Sequence, residues 1–128
     1  MNALKVMIVE DEAISALATE MMLQRLGYEV CCNVTSGEEA LEAVDSARPD
    51  LLIMDVRLDG ELDGIETTKR IRRRRDIPVI YVTAYSDEST RDRAKATSPL
   101  AYLVKPLDMR LLEEVLGRLE SPAPGTST

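Results

Sequence analysis

The chain has 128 residues, 45% hydrophobic and 30% charged, with a formal net charge of −7. That length suits one domain, able to bury roughly two-thirds of its extended surface, and the acidic balance argues against a general affinity for nucleic acid or an anionic membrane surface. No apolar run approaches the roughly 18 to 20 residues of a membrane helix, and the apolar N-terminal run has no basic region before it, so a cytoplasmic protein is expected.

Leu4 to Val9 reads as a first strand. From Ala13 to Leu26, Ile14, Leu17, Ala18, Met21 and Leu26 recur at helical spacing and mark the apolar stripe of a helix, with Gly27 as a left-handed cap. Glu29 to Thr35 is the second strand. It holds Cys31 and Cys32, whose side chains on a regular strand point to opposite faces, so a disulfide between them would be badly strained and both are expected as free, structural thiols. Ser36-Gly37-Glu38-Glu39 fits a capping box for a helix with Ala40, Leu41, Val44 and Ala47 inward, stopped by Pro49. Leu51 to Met54 is strand three, followed by an Asp- and Gly-rich loop in which Glu61 and Asp63 read as plain loop charges.

A third helix runs from about Ile65 to Arg75, and its basic end, Arg72 to Arg75, reads as a solvated terminus favoured by the helix dipole. Pro78 to Thr83 is strand four. Ser86 can cap a helix from Asp87 to about Thr97, whose only clear apolar positions are Ala94 and Ala96, so this helix is expected to be loosely held. Ala101 to Val104 is strand five, and Asp108 caps a last helix with Met109, Leu112, Val115, Leu116 and Leu119 inward. Residues 1–120 then form the domain, and 121–128, SPAPGTST, a disordered tail or the start of a linker.

Five successive βα units predict an α/β fold: a five-stranded parallel sheet with helices on both faces. In the doubly wound, flavodoxin-like order 2-1-3-4-5, strands one and three are neighbours at the switch point, where ligands bind. Glu10 and Asp11 follow strand one, Asp55 follows strand three, Thr83 ends strand four and Lys105 follows strand five. Clustered carboxylates repel and ask for a hard divalent cation, for which Mg²⁺ is suited by its oxygen preference. An Asp beside such an ion can attack phosphorus and form an aspartyl phosphate. Lys105 would neutralise phosphoryl oxygens and Thr83 would donate a hydrogen bond to one. With no His in the chain, a phosphohistidine, a His-ligated metal and a Ser-His-Asp nucleophile are excluded.

Five motifs in order now resemble one family over about Leu4 to Leu119: VED at 9–11, MD at 54–55, DG at 63–64, VTA at 82–84 and KP at 105–106. The chain resembles the CheY-like receiver domains of two-component response regulators. The resemblance implies a phosphorylation-activated switch with Asp55 as phosphoacceptor, Asp11 as direct Mg²⁺ ligand, Glu10 as its water-mediated helper and Arg57 lending a backbone carbonyl. It makes Thr83 the switch hydroxyl, Lys105 the family's lysine, Tyr102 the switch aromatic and Lys105-Pro106 a cis bond. It also implies a sensor histidine kinase or phosphotransfer protein as donor. The surface of the helix at 87–97, strand five and the last helix would serve a second copy or an output domain.

The chain departs from the family pattern in the loop from Asp55 to Gly64, which is one residue longer than the commonest form and has Asp59 and Gly60 in place of its usual Pro. Arg57 and Tyr85, two residues after Asp55 and Thr83, stand where family members tune phosphoryl lifetime, and both are bulky enough to restrict water. A phosphatase of the haloacid dehalogenase type also uses a strand-end Asp, but needs an acid two residues later, where this chain has Arg57. A flavodoxin-type cofactor binder is disfavoured by the acidic loop EDEAIS at 10–15, where a phosphate cradle needs small residues and free amides.

Overall fold

The fold was described from a computed structural model covering residues 4–120; the tail expected at 121–128 lies outside the described residues. Strands β1 (Lys5–Val9), β2 (Glu29–Val34), β3 (Leu51–Met54), β4 (Val79–Thr83) and β5 (Ala101–Val104) alternate with helices α1 (Ala13–Arg25), α2 (Gly37–Ala47), α3 (Gly64–Arg72), α4 (Glu88–Lys95) and α5 (Met109–Glu120). The sheet is parallel in the order β2-β1-β3-β4-β5, as the switch-point argument expects. β3 and β4 are buried throughout, because a parallel sheet is covered on both faces and its strands read as continuous apolar runs. One core, with Met7, Val9, Leu52, Met54 and Tyr81, lies under α2 and α3. The other, with Val6, Ile8, Ile53, Ile80 and Leu103, lies under α1 and α5.

Local signals placed most helix ends. Gly27, at φ +92°, closes α1, with its N–H bonded to the Gln24 carbonyl and that of Tyr28 to Leu23; a left-handed residue here costs a side-chain-bearing residue strain that glycine avoids. The Ser36 side chain accepts from Glu39 N–H at 3.1 Å, while Glu39 reaches back to Thr35 N–H at 2.9 Å. Asp108 accepts from Arg110 N–H at 2.8 Å ahead of α5. At α4 the cap is Asp87, not Ser86: its carboxylate accepts from Thr90 N–H at 3.1 Å.

Beyond the α4 cap, three larger expectations are corrected first. On α1, Ala16, Thr19 and Leu23 face the sheet, whereas Ile14, Leu17 and Met21 are 83%, 58% and 57% exposed and Ala18 is also outside. This helix is apolar on two faces, so spacing alone left its rotation open, and the small Ala16 and Thr19 are the ones that let it approach the sheet. The basic end of α3 is engaged rather than merely solvated. Arg72 donates to the Ile77 and Thr97 carbonyls, and Arg74 and Arg75 pair with Asp45 at 3.2 Å each.

The third correction concerns the thiols. The β1–β2 register runs Val6 to Val30 and then Met7 to Cys32, so Cys31 is an inserted residue. The bulge turns both cysteines onto the same core, with Sγ atoms 3.7 Å apart. They are free thiols, as expected.

α4 has Ala94 as its buried residue, and Ala96 is exposed. Its apolar attachment is as slight as the sequence suggests, but polar ties supplement it. Asp63, expected as a loop charge, caps α3 through Glu66 N–H at 2.8 Å and pairs with Arg93 of α4 at 2.8 Å. Just beyond α4, Thr97 shares a 2.8 Å hydrogen bond with the buried Tyr81 hydroxyl.

Candidate functional site

The parallel register aligns the strand ends. Val9 lies opposite Met54, and Thr83 opposite Val104, so Glu10, Asp55, Thr83 and Lys105 emerge side by side. Backbone bonds continue the ladder past the strands, from Asp55 N–H to the Val9 carbonyl at 3.0 Å and from Lys105 N–H to the Thr83 carbonyl at 2.9 Å. Gly64 completes the cradle, because a Cβ there would sit 1.9 Å from the Asp55 carbonyl oxygen. Only a residue without a side chain lets the start of α3 approach so closely.

Glu10, Asp11 and Asp55 bring one carboxylate oxygen each within 4.8 Å of one another. Glu10 and Asp55 are 6% and 7% exposed, whereas Asp11 faces solvent. Lys105 reaches between the buried pair, at 2.5 Å from Glu10 and 3.0 Å from Asp55. Glu12 lies 3.5 Å from the same ammonium, a contact the sequence reading did not include. The cleft, about 430 Å³, is lined by these residues with Arg57, Ala84 and Tyr85.

The electrostatics show a site with surplus negative charge. Burial, reinforced by the neighbouring Asp55 and opposed by Lys105, pushes Glu10 up to about 7 from 4.5. Asp11 is also raised, by desolvation and then by Asp59 of the long loop. Burial works against the charge of Lys105, but the Glu10 and Asp55 carboxylates outweigh it and raise its pKa. Three close carboxylates and one ammonium leave a deficit of positive charge, and an all-oxygen donor set fits a hard divalent ion such as Mg²⁺.

Thr83 is fully buried at the end of β4, and its hydroxyl accepts from Tyr85 N–H at 3.3 Å. The Tyr102 hydroxyl donates to the Tyr85 carbonyl, and Arg91 of α4 covers the Tyr102 ring at 4.9 Å. Arg57 N–H points to Asp55 Oδ1 at 3.3 Å, and its guanidinium lies 4.3 Å over the Tyr85 ring. Both residues of that cation–π pair line the cleft. The Lys105-Pro106 bond is cis. The long loop is tied down at α2, where Ser36 bridges Asp59 and Glu61 N–H reaches the Glu38 carboxylate at 3.1 Å.

The chain matches the response regulator receiver domain family over residues 6–117. It is 37% identical over 105 residues to the transcriptional regulatory protein PdtaR of Mycobacterium tuberculosis, covering 82% of this chain and 51% of that protein; the chain thus spans about half the length of this curated relative. Among solved structures, it resembles the signal receiver domain of a modulated diguanylate cyclase from Desulfovibrio desulfuricans G20, with TM-score 0.86, 35% identity and coverage of 91% of this chain and 93% of that one. It also resembles the receiver domain of the sensor histidine kinase PA1611 from Pseudomonas aeruginosa PAO1, described with a magnesium ion coordinated in the active site cleft. There the TM-score is 0.80, with 31% identity and coverage of 91% and 97%. The chain belongs to the response regulator receiver domain family of two-component signalling.

Proposed function

We propose that this receiver domain works as a switch through Asp55, which accepts a phosphoryl group from the phosphohistidine of a sensor histidine kinase or phosphotransfer protein in the cytoplasm. The observation that carries this reading is the buried Asp55 beside Glu10 and Asp11, with Lys105 3.0 Å away. An Asp55 oxygen attacks phosphorus while the P–N bond breaks, and the departing imidazole nitrogen keeps the electron pair and takes up a proton. Lys105 balances charge on the phosphoryl oxygens, and Thr83 turns its hydroxyl toward one of them. Asp11 and Asp55, with Glu10 behind them and the Arg57 carbonyl, would hold Mg²⁺, which when bound supplies charge neutralisation at the phosphoryl oxygens. The exposed Ile14, Leu17 and Met21 of α1, the helix that follows Glu10 and Asp11, offer a donor protein an apolar surface.

Movement of Thr83 releases Tyr102 from its bond to the Tyr85 carbonyl, and the α4-β5-α5 surface then changes its affinity for a second copy or an output domain. The chemistry is limited to self-catalysed phosphotransfer and dephosphorylation, and Arg57 leaves a phosphatase of the haloacid dehalogenase type without its general acid. Intact-mass analysis after acetyl phosphate and Mg²⁺ tests the assignment: one phosphate on the wild type and none on Asp55→Asn. Equal labelling of the two overturns it.

A further inference from the structure

Cys31 and Cys32 are the chain's two cysteines, and neither belongs to the phosphoryl site. The bulge places their sulfurs 3.7 Å apart on one face of the edge strand β2, both partly accessible and both packed against the core that holds Ala40 and Val44. The Cys31 thiol points to the Val6 carbonyl at 3.5 Å. Both side chains are therefore held toward one point.

Three occupants of such a pair can be weighed. A disulfide would have to draw the sulfurs in to about 2.05 Å across adjacent residues whose Cα atoms stand only about 3.8 Å apart, below the usual range of about 4.4 to 6.8 Å. That closure would distort a strand held in register by β1. A structural zinc needs four N or S ligands, and this chain has two Cys and no His. A centre that needs two sulfurs meets neither obstacle. A trivalent, pyramidal centre with two bonds of about 2.3 Å, the length of a zinc–thiolate bond, meeting at roughly 100°, spans about 3.5 Å between sulfurs. The observed 3.7 Å lies within a few tenths of an ångström of that span, a gap that rotation of the side chains closes with the backbone unmoved.

We propose that Cys31 and Cys32 form a vicinal dithiol site for a monosubstituted trivalent arsenical, R–As(OH)₂. Two As–S bonds form and two As–O bonds break. Each thiol proton leaves with a hydroxide, so two waters are released and arsenic stays trivalent; no oxidant is needed. Selectivity comes from chelation, because the second sulfur is already held beside the first and closes its As–S bond without a second bimolecular encounter. Burial and the neighbouring thiol push Cys32 up to about 12, so reagents that need a single thiolate find little of it there at neutral pH.

The test uses phenylarsine oxide on the folded, reduced chain, followed by intact-mass analysis and free-thiol titration. The expected result is one phenylarsenic per chain with both thiols lost together, retained in excess glutathione and removed by a 1,2-dithiol. Cys31→Ser and Cys32→Ser should each bind roughly 100-fold or more weakly. Circular dichroism confirms their folding, and Cys→Ala at the same position replaces a Ser variant that does not fold. Equal binding by either single variant, loss of the adduct to glutathione, or an adduct formed only after denaturation would overturn the proposal.

Discussion

Glu10 sets a pH dependence that a metal ion should remove. Its carboxyl is 6% exposed and stands at about 7 instead of 4.5, first because burial strips its hydration and next because Asp55 crowds it, with Lys105 opposing both. The folded pKa lies above the unfolded one, so the native state holds this proton more tightly. Its contribution to stability is therefore fully present below about pH 4.5 and is lost as pH rises to about 7. Converted at about 1.4 kcal/mol for each pH unit between the two values, the loss is about 3 kcal/mol in metal-free protein. For a domain of this size that is a melting-temperature drop of roughly 10 °C.

Urea unfolding in EDTA at pH 5, 6 and 7 should show this decline in the wild type and a flatter profile in Glu10→Gln, which keeps the shape and leaves Lys105 its contact with Asp55. The carboxylates whose pKa values are lowered, such as Glu39 and Asp63, act with the opposite sign below about pH 4.5, and the raised Asp11 acts with the same sign as Glu10 and accounts for the slope left in Glu10→Gln. Adding Mg²⁺ at about 100 times its dissociation constant should restore roughly 2.7 kcal/mol at pH 7. An equal slope in Glu10→Gln would refute Glu10 as the source, and no stabilisation by Mg²⁺ would refute the charge-deficit argument.

Asp11→Ala should lose the Mg²⁺ shift while leaving the metal-free protein at least as stable, checked by paired thermal melts. Arg57→Ala removes the guanidinium over Tyr85, a contact worth on the order of 1 kcal/mol, and should shorten the phosphoryl lifetime up to about tenfold, followed by the decay of phosphorylated mass. Thr83→Ala should still accept phosphate on Asp55 yet fail to transmit it: beryllofluoride should shift amide resonances across residues 87–105 in the wild type and only near the cleft in the variant. Arg72→Ala leaves the buried side of the Thr97 carbonyl without its donor and should cost about 2 kcal/mol by urea unfolding, since hydrogen bonds to charged groups are among the stronger ones.

Much of the site was legible in the sequence because its parts are local. A buried parallel strand is a short apolar run, its end is marked by a change to charge or to a hydroxyl, and Glu10, Asp55, Thr83 and Lys105 each stand at such a boundary. Caps are equally local: Ser36 and Asp108 bond to amides two or three residues away. The alignment of strand ends then followed from strand order, for which the five spaced motifs supplied the strongest guide.

What tertiary structure alone decided depends on partners distant in sequence. Which face of α1 turns inward rested on how closely Ala16 and Thr19 let it approach the sheet, a matter of packing volume that apolar spacing does not encode. Arg72 found Thr97 twenty-five residues on, and Asp63 found Arg93 thirty residues on, so an arginine read as part of a solvated helix end and an aspartate read as a loop charge became ties at α4. The bulge at Cys31 exists only in the register against Val6 and Met7. A strand read by itself alternates its faces; paired with a neighbour across an extra residue, it places two adjacent thiols side by side.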